Sequence, residues 1–597
     1  MMSYFCNTAL KGFWQSNQAP ALALTISSIL VASPLPSFAQ GAGAVSPGAV
    51  KPQLERRSLP TEQKTPSVSI PALPDRPLGI DEGPTVVVKH FKLQGVDDLP
   101  QRGLSQLLQQ QLVDHKQGFT IGQLQQTANL VTQLYRQQGF ILAQAYIPQQ
   151  DIKGDAVIIQ VLSGKLGQLS SRSSKRYSDE LLMSTFVSSK GKTVNALTTE
   201  NALLSINDLP GLDVAGIFRP GKNIGETELV LNVNEEIPFE FSLAADNHGV
   251  ETTGRQRIFG HAKWNNPTGH GDQIIVTALQ TFDPSDSAYG AIGYEIPLAT
   301  PHWIVGANLN TNDYVIAQSV SQQIPLKTDG ESQTASIYSR YQFHRSREFN
   351  LSATVDFSRK WAEVEATDFK QKLGEDNLSV FSGVLNFDSI NTQHRAINKG
   401  SVSYSHGLAG FAGSMASNAS SLTDGNNSLG AAEADFQKLN LNLTRLQAIT
   451  QGHNLLIRLQ AQHSDDTLSS LERFSMGGPN SVRAYPVSEY IRDKGVFTSL
   501  AWVMSAPGFS SKPAFAGRNW GEVFRVSLFA DYAAGKLNRT FNGSLDKKVE
   551  ISGAGIGLEL NLTDRFFIRA EAAKALSSRE DSRGDDSQYW LSAGFNI

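Results

Sequence analysis

The chain has 597 residues, enough for several domains, and 40% of them are hydrophobic, which argues against general disorder. Its formal net charge is only -4, which favours neither a nucleic acid nor a strongly charged protein as a partner. No run of about eighteen apolar residues follows the N-terminus, so no helical membrane span is predicted. The single cysteine is Cys6, which excludes disulfide scaffolds and cysteine-based metal sites.

Residues 1–39 have the pattern of a secretory signal peptide. Lys11 supplies a positive charge ahead of Ala21–Val31, an apolar stretch too short to span a bilayer. Ser37–Ala39 then forms a small-x-small cleavage site. We expect a mature chain that begins at Gln40 and has no cysteine, as suits an exported protein; the alternative is an amphipathic anchor.

Residues 40–84 form a proline-rich linker. Its prolines interrupt any long helix and stand at positions 47, 52, 60, 66, 71, 74, 77 and 84. Gln53–Leu59 is the one stretch in which a short helix fits. We therefore predict a flexible tether.

Two segments with the same order of elements follow, at residues 85–164 and 165–236. In the first, a strand over Val86–Leu93 precedes two amphipathic helices, and Thr120 with Gln123 forms a capping box at the second. Two strands follow on either side of a turn at residues 153–155. The second segment repeats this strand-helix-helix-strand-strand order, so we predict two similar α+β domains.

Residues 216–223 nearly match a nucleotide-binding loop. Asn223 replaces the Ser or Thr that would bind magnesium, and the segment lies in a predicted hairpin. We find no Gly-x-Ser-x-Gly and no His-Glu-x-x-His motif. The sequence therefore predicts no catalytic residue, no cofactor and no metal.

From residue 237 to residue 597 the hydrophobic pattern has a period of two. In Phe524–Tyr532 one face is apolar, whereas the other carries Arg525 and Asp531. This is typical of a membrane barrel strand between lipid and a wet lumen. Roughly 360 residues at about 22 per strand and connection predict about sixteen strands.

The loop of residues 471–495 is rich in turn residues and yet carries aromatic and charged side chains, which a slack surface loop does not need. Within it, the sequence Val-Arg-Ala-Tyr at 482–485 resembles the Val-Arg-Gly-Tyr/Phe signature in the sixth extracellular loop of the Omp85 superfamily. Phe529-Ala-Asp531, with Gly535, resembles the partner motif on a barrel strand of that superfamily. The flanking sequences at 472–475 and 493–495 are similar to those of the two-partner secretion branch, the haemolysin activation/secretion proteins.

This resemblance implies a 16-stranded antiparallel outer-membrane β-barrel at 237–597, preceded by two periplasmic POTRA domains at 85–164 and 165–236. It also implies that the loop 471–495 folds into the lumen, where Arg483 pairs with Asp531. Val482, Tyr485, Phe529 and Gly535 complete the predicted site; the alternative is an exposed, unpaired Arg483. Ala484 stands where the family has glycine, so the turn beside Arg483 is expected to be built differently.

The implied function is the export of one large secreted protein, of the adhesin, haemolysin or contact-dependent toxin type. Its unfolded chain would be captured at POTRA sheet edges, unless these domains serve only as spacers. Other expected partners are outer-membrane lipid and, during insertion, the barrel-assembly machinery; no nucleic acid is expected. The alternatives are a barrel-assembly factor, an outer-membrane enzyme and a passive porin, but paired POTRA domains are unexplained in the last two.

Overall fold

The computed structural model of the protein describes residues 68–69, 84–151, 155–250, 253–282, 287–321, 324–366, 371–416, 432–539, 548–563, 565–578, 581 and 584–596. The expected signal peptide, the start at Gln40 and the possible helix at Gln53–Leu59 lie outside these residues. Within the described residues, no helix has the length and the apolar composition needed to cross a membrane.

The residues before the barrel form two α+β units. Their elements are β1 (Val68–Ser69), β2 (His90–Gln94), α1 (Leu104–Asp114), α2 (Ile121–Gln137), β3 (Gln144–Tyr146), β4 (Ala156–Leu162), β5 (Lys165–Arg172), α3 (Asp179–Met183), a 3-10 turn (Ser184–Ser189), α4 (Ala196–Asn207), β6 (Leu212–Pro220) and β7 (Glu226–Glu236). The first unit has a sheet of order β2-β4-β3 and the second a sheet of order β1-β6-β7-β5. In each unit, two helical segments follow the first strand of the predicted order.

Local chemistry explains the start of α2. The hydroxyl of Thr120 accepts from the backbone N–H of Gln123 at 3.2 Å, and the Gln123 side chain accepts from the N–H of Thr120 at 2.9 Å. This is the predicted capping box, which satisfies two N–H groups that a helix start leaves free. The first strand begins later than predicted, because the backbone of Val86 pairs with that of Phe119 rather than joining β2.

The linker contains a structural element that the sequence did not predict. Val68–Ser69 pairs in parallel with Gly216–Ile217 as the outer strand of the second sheet. The view of residues 40–84 as a tether without regular structure is therefore wrong at these two residues. Sheet pairing is long-range, and a two-residue strand between prolines carries no local pattern.

The barrel strands are β8 (Phe239–Asp246), β9 (Gln256–Asn265), β10 (Gln273–Phe282), β11 (Ser287–Pro297), β12 (Trp303–Ser321), β13 (Ile324–Arg345), β14 (Phe349–Ala366), β15 (Gln371–Asn391), β16 (Ala396–Gly407), β17 (Gln437–Thr450), β18 (His453–His463), β21 (Lys494–Ser505), β22 (Phe524–Lys536), β23 (Lys548–Asn561), β24 (Phe566–Ala575) and β25 (Ser587–Asn596). Between β18 and β21 lie β19 (Phe474–Met476) and β20 (Tyr490–Arg492), which pair with each other. A 3-10 turn (Phe411–Gly413) and α5 (Trp520–Val523) lie in connections. The sixteen strands form a closed antiparallel barrel, which confirms the predicted fold.

The two faces of β22 separate as predicted. Leu528 and Tyr532 are exposed on the outer face, whereas Phe529 and Asp531 are buried on the inner face. A barrel strand with lipid on one side and a filled lumen on the other requires this division.

The barrel closes where its last strand meets its first. β25 and β8 share five residue pairs, from Ser592 with Asp246 to Asn596 with Ser242. Beyond these pairs the side chain of Asn247 continues the ladder, since its amide donates to the Tyr589 carbonyl at 2.9 Å and its oxygen accepts from the Leu591 N–H at 2.8 Å.

Candidate functional site

The loop between β18 and β21 enters the barrel on a short stem, which is formed by β19 and β20. At the inner end of this stem, Gly477 and Gly478 have φ angles of 104° and 97°. A Cβ on Gly477 would lie 2.3 Å from the carbonyl oxygen of Pro486. The turn therefore requires glycine, and it delivers residues 479–487, here called the tip, to the barrel wall.

Apolar side chains anchor the tip. Val482 and Tyr485 are fully buried, and the Tyr485 hydroxyl lies 2.7 Å from that of Ser577. Other buried members of this apolar cluster are Phe474, Met476, Phe497, Phe529, Ala533, Val549 and Ile551. Two of the predicted site residues thus hold the tip by packing against inward-facing residues of the wall.

The structure brings Arg483 and Asp531 together. The Nε and Nη2 atoms of Arg483 each donate to one carboxylate oxygen of Asp531, both at 2.7 Å. The backbone N–H of Arg483 donates to the same carboxylate at 3.2 Å. Because Arg483 is only 1% exposed, this bidentate pair is shielded from water, and its hydrogen bonds are of the strong, charge-assisted kind.

Two further polar groups complete the surroundings of the guanidinium. Its Nη1 donates to Glu571 at 2.9 Å, and its Nη2 also donates to the hydroxyl of Ser499 at 3.2 Å. The guanidinium carbon lies 3.1 Å from the centre of the Phe529 ring, so the cation also faces an aromatic surface. One arginine therefore links β21, β22 and β24.

The last strand holds the tip as well. The indole N–H of Trp590 donates to the carbonyl oxygen of Arg483 at 2.8 Å. The Trp590 ring also meets His248 edge-on, with ring centres 5.6 Å apart. The tip is thus fixed through both the side chain and the main chain of Arg483.

Sequence reasoning missed Glu571, Ser499 and Trp590. The sequence does carry a signal for Glu571. Arg569 and Glu571 are charged and stand two positions apart in one strand, so both side chains must face the lumen rather than lipid. Ser499 and Trp590 carry no such signal, since a small hydroxyl and a tryptophan are ordinary in barrel strands.

Gly535 and Ala484 have steric roles. A Cβ on Gly535 would lie 2.9 Å from Arg492 in the stem, so this glycine leaves room for the stem. Ala484 is not among the residues with positive φ, so the backbone beside Arg483 does not need glycine here. The methyl group of Ala484 instead occupies space that Gly553 leaves open, since a Cβ on Gly553 would lie 2.4 Å from the Cβ of Ala484. Gly553 is also the residue that pairs with Asp531 across the sheet.

The structure does not place residues 216–223 in a nucleotide-binding arrangement. The segment at 216–223 lies in the hairpin of β6 and β7, so no helix follows it to bind a phosphate. Among the described residues, no group of three or more His, Cys, Asp or Glu side chains is arranged to hold a metal ion.

The sequence model of the family described as "Haemolysin secretion/activation protein ShlB/FhaC/HecB" matches residues 225–560, and that of the "POTRA domain, ShlB-type" matches residues 86–164. The heme/hemopexin transporter protein HuxB of Haemophilus influenzae is 24% identical over 480 residues, which cover 79% of this chain and 80% of that protein. The outer membrane transporter CdiB of Escherichia coli is 23% identical over 544 residues, with 84% and 88% covered.

Solved structures share the fold. CdiB from Escherichia coli superposes with a TM-score of 0.66 at 20% identity, over 86% of this chain and 91% of that chain. BamA from Haemophilus ducreyi, lacking POTRA domains 1-3, gives a TM-score of 0.51 at 14% identity, over 86% of this chain and 100% of that chain.

A sixteen-stranded barrel that carries an inward loop and is preceded by a POTRA domain, matched at residues 86–164, defines an outer-membrane protein of the Omp85 class. Within that class, the chain belongs to the haemolysin secretion/activation family, whose model covers more than half of it. It is thus a two-partner secretion transporter, as the resemblance implied. The alternative, a barrel-assembly factor, is supported only by a distant similarity of fold to BamA.

Proposed function

We propose that the loop of residues 471–495 is the gate of the export channel, and that Arg483 with Asp531 and Glu571 is its latch. The observation that carries this proposal is the full burial of Arg483 between two carboxylates of the wall. Since the tip fills part of the lumen, a passing polypeptide requires it to move. A charge pair suits a reversible contact, because it is strong when shielded and weak when wet.

Open space lies beside the tip, and Glu571 of the proposed latch borders it. A cavity of about 500 Å³ separates Pro479 and Asn480 of the tip from the wall of β8 to β12. Where β10 and β12 line this cavity, they offer neutral amide and hydroxyl groups, namely Thr277, Asn308 and Asn310. These groups can donate to and accept from a main chain whatever its side chains are, which suits a cargo exported in extended form.

Capture of the cargo is assigned to the POTRA-type units. Each sheet ends in strands with one neighbour, such as β3 in the first unit, and such edges can accept an extended peptide by main-chain hydrogen bonds. This mode tolerates varied sequences, as an unfolded cargo requires. A role as a spacer alone is the competing proposal.

Contacts with the barrel support a fixed position for the second unit. Arg345, at the end of β13, holds both carboxylate oxygens of Asp208 at 2.6 and 2.7 Å. Arg176 donates to the carbonyl oxygens of Asn265 and Asn266, both at 3.2 Å. A capture surface held in this way stays beneath the channel, so a bound chain is presented to the lumen.

The proposed partner is one large secreted protein. Relatives carry the names heme/hemopexin transporter and hemolysin transporter, which points to a secreted protein and leaves the choice among adhesin, haemolysin and toxin open. Outer-membrane lipid would contact the outer face, and the barrel-assembly machinery would insert the chain. The proposal includes no enzymatic activity, cofactor, metal or nucleic acid; folding of the cargo outside the cell would drive export.

The test compares culture supernatants of cells that express the intact chain, no chain, or a chain without residues 85–164. We expect one large protein in the first supernatant and not in the other two, while a heat-modifiable barrel remains in the membrane of the third strain. Normal secretion by the deletion variant would make the first unit a spacer. Identical supernatants from the first two strains would contradict the proposed export function.

A further inference from the structure

A second charge cluster holds the loop where it leaves the barrel wall, just before the stem, at residues 468–473, here called the root. Glu472 is only 3% exposed. One of its carboxylate oxygens lies 2.5 Å from the ammonium nitrogen of Lys360 in β14, and the other lies 2.5 Å from that of Lys438 in β17. A single carboxylate thus bridges two lysines from separate barrel strands.

Main-chain and apolar contacts strengthen the same attachment. The carbonyl oxygen of Glu472 accepts from the amide of Gln462 at 2.9 Å and from Lys438 at 3.2 Å. Leu468 and Leu471 are buried in one apolar cluster, whose members on the inner face of β14 and β15 are Ala362, Leu378 and Val380. The root is therefore fixed by side-chain charge, by main chain and by packing.

A further ion pair joins the root to the residue that follows β20, where the loop returns to the barrel wall. The Nε atom of Arg473 lies 3.2 Å from a carboxylate oxygen of Asp493, and Asp493 is fully buried. Asp493 also accepts from the backbone N–H groups of Leu468 at 3.0 Å and of Asn538 at 2.7 Å. Both ends of the loop are thus joined before the stem begins.

The root and the tip use different parts of the wall. Glu472 bonds to β14, β17 and β18, whereas Arg483 and its neighbours bond to β21, β22, β24 and β25. The two charge clusters share no residue, so their energies are expected to be nearly additive. Gly477 and Gly478 lie between them with positive φ, in the turn where the stem joins the tip.

We infer that Glu472 is a positioning residue, which makes the root a fixed pivot about which the tip is released. The gate then opens without loss of the whole loop, since breaking the contacts of Arg483 leaves Glu472 bound to both lysines. The inference rests on the proposed gating role of the loop. Its test uses purified protein without cargo, so it can succeed or fail independently of export.

The experiment measures the rate of maleimide labelling at two engineered cysteines in the folded, full-length chain, with Cys6→Ser throughout. Ser470→Cys reports on the root and Ser481→Cys on the tip, and both serines are buried. Glu472→Gln should raise labelling at position 470 about tenfold or more, because it leaves two partly buried lysines without their anion. Arg483→Ala should raise labelling at position 481 by a similar factor and leave position 470 within about twofold of the parent.

Glu433→Gln is the matched control. It removes a half-buried carboxylate that lies 3.4 Å from the exposed guanidinium of Arg539, and it should leave both labelling rates unchanged. Lys360→Gln removes one of the two lysines and should give an intermediate increase at position 470, so the inference stays testable if Glu472→Gln does not fold. Unchanged labelling at position 470 in both variants would overturn the inference. Equal exposure of root and tip in Arg483→Ala would also overturn it, since the loop would then leave as one body.

Discussion

Two walls of the same barrel differ in what they do with their inward-facing side chains. The wall of β21 to β25 presents Asp531, Glu571 and Trp590, each bonded to Arg483 of the tip. The wall of β10 to β12 presents neutral groups such as Asn308 and Asn310, which face a cavity. The first wall bonds to one loop, whereas the second leaves its amide groups facing open space.

This difference indicates a division of labour within one lumen. Fixed, charged and shielded contacts hold the tip on one side, because strong pairing requires defined geometry and exclusion of water. On the proposed function, the neutral groups of β10 and β12 suit the other side, because charges at those positions would bind some segments of a varied cargo too firmly and repel others. The following predictions test this difference, since substitutions on the first wall should impair secretion more than a substitution on the second.

The largest effect is expected at the latch. Arg483→Ala should abolish or severely reduce secretion, while heat-modifiable migration still reports a folded barrel. Removing one partner of a buried pair costs about 3 to 5 kcal/mol, which is enough to release the tip but small beside the closed hydrogen-bond ladder of the wall. Secretion into the medium and migration in gels are the two measurements.

Further variants test whether Arg483 and Asp531 act through their mutual contact or independently. Asp531→Ala should give a similar defect, and the double variant should be little worse than either single one, because both residues act through one contact. Arg483→Lys should restore secretion only in part, since an ammonium cannot reproduce the fork geometry of guanidinium. Additive losses from the two alanine variants would refute the pairing.

A smaller effect is expected at the contact between Ala484 of the tip and Gly553 of the wall. Gly553→Ala would place a methyl group 2.4 Å from the Cβ of Ala484, so the tip must shift away from the wall. Overpacking of this kind costs about 1 to 3 kcal/mol, so partial loss of secretion and larger pore fluctuations in planar bilayers are expected.

A second substitution at the same contact should reverse this effect. Ala484→Gly removes the methyl group that Gly553→Ala would strike, so the double variant should regain secretion. Gly383→Ala is the control, because a Cβ at Gly383 meets no atom within 4 Å. If Ala484→Gly fails to rescue, the contact between these two residues does not set the position of the tip.

The smallest effect is expected on the neutral wall. Asn308→Ala should change stability by no more than about 0.5 kcal/mol and leave secretion near normal, because one amide among several is dispensable to a main chain in transit. Secretion and heat-modifiable migration are again the measurements. A defect as large as that of Arg483→Ala would mean that this wall also makes a specific contact.

Local patterns predicted much of this molecule. The alternation in Phe524–Tyr532 assigned Asp531 to the inner face, and the capping box at Thr120 gave the start of α2. The choice of Arg483 and Asp531 as partners came from the resemblance to a family, since residues 48 positions apart leave no periodic trace in the sequence.

What escaped prediction depends on distant pairing. Glu571 and Trp590 reach Arg483 only because the sheet closes into a barrel, and Val68–Ser69 joins a strand far along the chain. The alanine at position 484 has its explanation in Gly553, which lies opposite it and leaves room for its methyl group. A single sequence shows neither contact, because each is set by the register between strands.

The seam between β8 and β25 bears on how the barrel is made. Each of the other strand pairs in the barrel joins strands that follow one another around it in chain order, so the sheet can grow by successive hairpins. Closure alone unites the two ends of the sheet, and it carries the largest loss of chain entropy. Its five residue pairs depend on Ser592–Asn596, so truncation there should leave a nearly complete but open sheet, with an unpaired edge prone to aggregation.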